Sequence, residues 1–170
     1  WLSGNAQLGY GDGDEATTVS YGTSASNKYI TTYFRKAISV PDISQFTGYT
    51  LSLKRDDGAV VYLNGTEIFR TNMPTGTISY TTRATAAASD DGNTAQVKTL
   101  TTSQIIQGTN TIAVEIHQNV NTSSDCSFDL ELKATTTGGG GGGTTATLTR
   151  GPYLNSALQN GIVLRWRTDV

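Results

Sequence analysis

The feature that most constrains this chain is hydrophobic alternation with a period of two. Ile112, Val114 and Ile116 alternate with Ala113, Glu115 and His117, and Phe128, Leu130 and Leu132 alternate with Ser127, Asp129 and Glu131. Successive side chains of a strand point to opposite sheet faces, so each run puts its apolar residues on one face and its polar residues on the other. Ile30, Phe34, Ile38 and Val40 keep the same rhythm against Thr31, Tyr33, Arg35 and Ala37, and Leu51 and Leu53 repeat it across Ser52 and Lys54. A one-residue slip would expose each apolar set and bury charge, so the phases are strongly specified.

Turn chemistry falls between these runs. Ala59-Val60-Val61-Tyr62-Leu63 meets Asn64-Gly65, the strongest short hairpin signal, before Thr66-Glu67-Ile68-Phe69-Arg70 returns. Upstream, Arg55-Asp56-Asp57-Gly58 reads as a turn in which Asp caps its own backbone and Gly takes positive φ, so three consecutive antiparallel strands are expected. The only helical hint is Thr102 to Gly108, a capped single turn ending on Gly. Thr and Gly are abundant, and no helical layer is available to cover a parallel sheet. The expected fold is therefore all-β, with two packed antiparallel sheets.

Thr135-Thr136-Thr137 leads into six consecutive glycines at 138–143 and then Thr144-Thr145. Such a stretch cannot bury enough apolar surface to offset its ordering entropy, so it reads as a flexible linker. The expected organisation is a β-sandwich module at 1–134, a linker at 135–147 and the beginning of a second β-domain at 148–170. The chain opens on Trp1-Leu2-Ser3-Gly4 and stops just after the strand-like Ile162-Val163-Leu164-Arg165-Trp166, so both ends are expected to be cuts. The missing signal peptide then says nothing about compartment. The formal net charge is −2, with acidic and basic residues scattered, so nucleic acid is not an expected partner. No run of about 18 apolar residues is present, so membrane insertion is not expected either.

The candidate chemistry is sparse. A two-metal phosphoesterase centre needs several His and carboxylate ligands, and this chain has one histidine, so catalysis by the chain itself is not expected. Cys126 is the single cysteine, which rules out an intrachain disulfide and fits a small buried thiol. Glu115 and His117 share the face opposite Ile112, Val114 and Ile116, while Tyr33 and Arg35 share the phase opposite Phe34. If the two strands are neighbours, Tyr33, Arg35, Glu115 and His117 form a ligand surface with a donor, an acceptor and a titratable ring beside an aromatic face. A covered hydrogen-bonded network would use the same residues. Asp129 and Glu131 would extend the surface only from an adjacent strand.

Gly11-Asp12-Gly13-Asp14-Glu15 packs three carboxylates between glycines. Calcium takes about six to eight hard oxygens, so Asp12, Asp14 and Glu15 are candidate ligands, with a solvated acidic turn as the alternative. The spacing is not that of an EF-hand loop. Ser89-Asp90-Asp91-Gly92-Asn93 is a second, weaker acidic loop.

Longer strings carry a resemblance. Leu8-Gly9-Tyr10-Gly11-Asp12-Gly13-Asp14-Glu15, Thr32-Tyr33-Phe34-Arg35-Lys36, Asp56-Asp57-Gly58-Ala59-Val60-Val61-Tyr62-Leu63-Asn64-Gly65-Thr66-Glu67, Arg70-Thr71-Asn72-Met73-Pro74 and Ala113-Val114-Glu115-Ile116-His117-Gln118 occur in order. Over about residues 1–134 the chain resembles the galactose-binding-like jelly-roll domains appended to secreted bacterial multidomain proteins. The resemblance implies a jelly roll, an extracellular location, a glycan ligand, a structural calcium, and one or two further strands upstream of Trp1. Thr149-Arg150-Gly151-Pro152-Tyr153-Leu154 and Ile162 to Asp169 resemble the opening strands of the fibronectin-III-like domain that precedes the catalytic domain of purple-acid-phosphatase-like metallophosphoesterases. That implies a phosphoesterase parent, with downstream domains of the same chain as partners. Domain context does not transfer activity to the accessory part. Two functions stand against each other: a glycan-binding module, or a structural module that docks proteins through strand edges.

Overall fold

A computed structural model describes residues 1–136 together with the backbone of 154–158 and 161–165. The strands, in chain order, are β1 (Leu8–Tyr10), β2 (Thr17–Thr18), β3 (Thr31–Val40), β4 (Phe46–Asp56), β5 (Gly58–Leu63), β6 (Thr66–Thr71), β7 (Gln96–Leu100), β8 (Gly108–His117), β9 (Cys126–Thr136), β10 (Leu154–Leu158) and β11 (Gly161–Arg165). One sheet runs β1-β9-β4-β7, with β2 added in parallel to β1. The other runs β3-β8-β5-β6 and is antiparallel throughout. From β3 onwards the chain passes repeatedly between the two sheets, and these two strand orders together are the topology of a jelly roll. β10 and β11 form a hairpin, and β11 pairs with β9 from Gly161 opposite Thr135 to Arg165 opposite Glu131. β9 thus extends past the expected boundary at 134, to Thr136. The glycines at 138–143 and the rest of the segment 148–170 lie outside the described residues.

The alternation read from the sequence becomes the core. Ile112, Val114 and Ile116 face Leu51, Leu53, Phe128, Leu130 and Leu132 across the sandwich, all buried. Phe34 stacks on Phe128 with ring centroids 4.2 Å apart and joins the two sheets directly. Each such side chain contributes about 1.5–3 kcal/mol, so a register slip in β8 alone would cost several kcal/mol.

Asn64-Gly65 makes the expected hairpin: φ is 52° at Asn64 and 83° at Gly65, both in the left-handed region that the primed turns require. The turn expected at Arg55-Asp56-Asp57-Gly58 is corrected. β4 pairs with β7 and β9 while β5 pairs with β6 and β8, so at Asp57 the chain crosses from one sheet to the other. Asp56 and Asp57 are only 4% and 3% exposed, which no solvated hairpin turn would give. Gly58 has no positive φ; a Cβ there would lie 2.7 Å from Met73 Sδ and 2.8 Å from the Asn72 carbonyl, so glycine is needed for packing beneath a loop. β1 and β7 carried no usable sequence signal, because β1 has three residues and β7 buries only Leu100.

Candidate functional site

The outer face of the β3-β8-β5-β6 sheet is set by register. Tyr33 lies opposite Glu115 and Arg35 opposite Ala113, and on the other side of β8 Val60 lies opposite Glu115 and Tyr62 opposite Ala113. Tyr33, Arg35, Glu115 and His117 therefore do share one face, as their phases required. Tyr33 is 44% exposed, Arg35 is exposed and Glu115 is half-buried. The Arg35 guanidinium carbon sits 4.2 Å from the centroid of the Trp1 ring, a cation–π contact that holds its direction. Tyr62 donates to Glu115; burial first, and then that carboxylate, raises its phenol pKa. The contact of Trp1 with Arg35 has no counterpart in the sequence pattern, because Trp1 lies outside every alternating run.

His117 needs a correction. It is fully buried, with Nδ1 2.7 Å from the Thr82 carbonyl and 2.9 Å from Thr31 Oγ1, and Nε2 3.0 Å from Glu115 Oε2. Thr31 Oγ1 donates to the Tyr80 carbonyl at 2.7 Å. A carbonyl can only accept, so Nδ1 carries a proton and donates it to Thr82. The imidazole thus pins the 79–84 segment onto the sheet and offers no atom to a surface ligand. Arg70, Asn72 and Asp57 do related work. Arg70 donates to Glu67 from Nε and Nη2 at 2.8 and 2.7 Å and to the Pro74 and Gly76 carbonyls. Asn72 donates to the carbonyls of Asp57 and Ala86, and the Asp57 carboxylate accepts from the Ala88 and Asn119 amides at 2.7 and 2.8 Å. Asp129 and Glu131 are not part of this surface, since β9 belongs to the opposite sheet from β8.

The acidic residues gather at one end of the sandwich. Gly11 has φ +109°, and a Cβ there would lie 2.7 Å from Asp125 Cα, so glycine lets the loop after β1 press against the residue preceding β9. Gly92 is buried against Asp56 and Ser127 in the same way. As a result carboxylate oxygens of Asp12, Asp91 and Asp125 lie within 4.8 Å of one another. Asp12, Asp14 and Glu15 also come within that distance, but their oxygens are engaged locally. Glu15 accepts from the Asp12 and Gly13 amides at 2.9 and 3.0 Å, which holds its carboxyl below the usual range, and Asp14 accepts from Gln7 Nε2 at 3.2 Å. Asp12 accepts from Ser127 Oγ at 2.6 Å. Beneath them the Asp56 carboxyl is pushed up to about 8, first by burial and then by the carboxyls of Asp57 and Asp125 that it meets. Burial also raises Asp12, with Asp125, Asp91 and Asp14 adding to it. The cations nearby are occupied: Arg55 by Asp90 at 3.0 Å, and Lys28 by the Ser123 and Ser124 carbonyls.

Solved structures are similar over part of this chain. It is similar to the Streptomyces avermitilis alpha-L-rhamnosidase complexed with L-rhamnose, at 24% identity and a TM-score of 0.48, over 68% of this chain and 10% of that one. It is similar to the alpha-L-rhamnosidase from Dictyoglumus thermophilum, at 15% identity and 0.44, over 65% and 12%. It is also similar to the lectin from Pleurotus ostreatus in complex with GalNAc, at 16% identity and 0.47, over 79% and 33%. The chain thus spans about a tenth of the rhamnosidases and a third of the lectin. No family model and no curated protein matches the sequence.

Proposed function

We propose that the chain is a non-catalytic glycan-binding module that uses the outer face of the β3-β8-β5-β6 sheet. The observation that carries this is Tyr33, an exposed ring directly opposite the Glu115 carboxylate, with Arg35 two residues along the same strand, diagonal to Glu115 and steadied by Trp1. A sugar presents an apolar face and a ring of hydroxyls. Tyr33 offers the stacking surface, Glu115 accepts from hydroxyls, and Arg35 donates to them. His117 and Tyr62 hold the Glu115 carboxylate from below and from the side, which lowers the entropy lost on binding.

The test is retention on immobilised glycans and on a glycan array, with Tyr33→Ala and Glu115→Gln as variants. Retention of the wild type, and its loss in both variants without a change in the urea midpoint, is the expected result. Absence of retention on every glycan, or wild-type retention by both variants, overturns the reading. The finer proposal, an accessory region of a secreted metallophosphoesterase, rests on the resemblance of Thr149 to Leu154 and Ile162 to Asp169. The full reading frame around this segment tests it.

A further inference from the structure

We infer, resting on the reading of the β3-β8-β5-β6 face as a glycan site, that its ligand is an acidic sugar, a uronate whose carboxylate is held by Arg35. The Arg35 side chain is exposed, and its guanidinium carbon lies 4.2 Å from the centroid of the Trp1 ring. A guanidinium held over an aromatic face has less freedom to lose on binding, and the N–H donors around its rim match the two oxygens of a carboxylate. Among the described residues no carboxylate pairs with Arg35. Glu115, diagonal to it, is already engaged by Tyr62 and by His117 Nε2 at 3.0 Å. The other arginine on this sheet, Arg70, is tied to Glu67 and to two carbonyls. Arg35 is therefore a fixed, exposed cation that a neutral sugar would leave without a counterion.

The neighbours of Arg35 fit the rest of such a sugar. Tyr33 precedes it by two on the same strand face, about 7 Å along β3, and Glu115 lies opposite Tyr33. Diagonal neighbours across an antiparallel pair are about 7–8 Å apart. A uronate ring carries its carboxylate at one end and adjacent hydroxyls at the other. It can reach Arg35 with the first and Glu115 with the second while its apolar face meets Tyr33. Beyond Arg35 the same face holds only short side chains: Ala37 lies opposite Thr111 and Ser39 opposite Thr109, all four exposed. That shelf leaves room for the next sugars of a chain, so an oligomer should bind more tightly than a single uronate.

The experiment uses the full chain with oligomers of galacturonate and of alginate, which differ in ring stereochemistry but share the carboxylate, in buffer free of divalent cations. Affinity is measured by calorimetry against each oligomer, against the same oligomers with their carboxyls reduced to alcohols, and against dextran sulfate as a polyanion without carboxylates. At least one acidic oligomer should bind tenfold or more tighter than its reduced form, and added salt should weaken it. Arg35→Gln should weaken that oligomer at least tenfold, and Arg35→Lys, which keeps the charge but loses the two-pronged donor, should fall between. Arg35 is exposed, so both variants should keep the wild-type urea midpoint. Equal affinity for acidic and reduced oligomers, or an undiminished preference in Arg35→Gln, overturns the inference. Equal binding of dextran sulfate overturns it too, since general attraction of polyanions would then account for retention. If the wild type holds neutral glycans through Tyr33 and ignores both uronates, the uronate assignment fails and the glycan reading stands. If it holds no glycan of either kind, both fail.

Discussion

Nε2 of the buried His117 ring lies 3.0 Å from Glu115 Oε2, joining the underside of the 79–84 segment to the carboxylate on the proposed binding face. The two residues therefore have different duties despite being two apart on one strand face. His117→Ala would leave the Thr82 carbonyl without its donor and open a cavity beneath the loop. The expected cost is about 2–4 kcal/mol, seen as a lower urea midpoint. Glu115→Gln keeps size and one acceptor, so it should cost about 1 kcal/mol or less while removing glycan retention. Equal stability losses in the two variants would contradict this division.

The pH dependence of stability follows from Asp56. Its carboxyl titrates near 3.8 in the unfolded chain and at about 8 in the fold, so the folded state holds the proton more tightly. That contribution is fully present below the unfolded value and is lost as pH rises through about 8. Asp57, Asp125, Tyr10 and Cys126 face this group, and none of them supplies a positive charge. The melting temperature should therefore rise as pH falls from about 8 towards 5. Asp56→Asn should flatten that slope and stabilise the protein at the alkaline end. A wild-type melting temperature that stays flat or falls over this range would show that Asp56 is not held protonated.

Gly11 and Gly13 provide a paired test of the loop after β1. Both have positive φ, but a Cβ at Gly11 would meet the Asp125 backbone at 2.7 Å, whereas nothing lies within 4 Å of one at Gly13. Gly13→Ala should cost about 1 kcal/mol for its φ alone. Gly11→Ala should cost about 1–3 kcal/mol, because the added methyl must also push the loop off the Asp125 backbone. Chemical denaturation of the two variants side by side checks the difference.

Cys126 is buried, and burial, with the negative charges of Asp56 and Asp125, pushes its thiol well above the usual range. Only the thiolate attacks disulfide reagents, so the native protein should remain unlabelled at neutral pH and react fully once unfolded in urea. Rapid labelling of the native state would mean that the β9 end of the sandwich opens.

The parts legible in the sequence were those fixed by neighbours along the chain. Alternation placed Ile112, Val114 and Ile116 inside and Glu115 and His117 outside because strand side chains switch faces at every residue, whatever the strand pairs with. Asn64-Gly65 specified its hairpin because those two residues tolerate the dihedrals of a tight turn. What the sequence left open was decided across space. At Asp56-Asp57-Gly58 the same residue types suit a hairpin or a passage between sheets, and only the pairing of β4 with β9 and of β5 with β8 chooses the second. Whether His117 was a surface ligand or part of a covered network stayed open in the sequence, because a strand's phase gives its face but not whether a loop returns over that face. Asp12, Asp91 and Asp125 belong to three distant loops, and the close approach allowed at Gly11 and Gly92 brings them together. Local backbone preferences are short-ranged and survive translation into sequence patterns. Convergence of loops depends on where an entire jelly roll places its ends, which only the packed sheets determine.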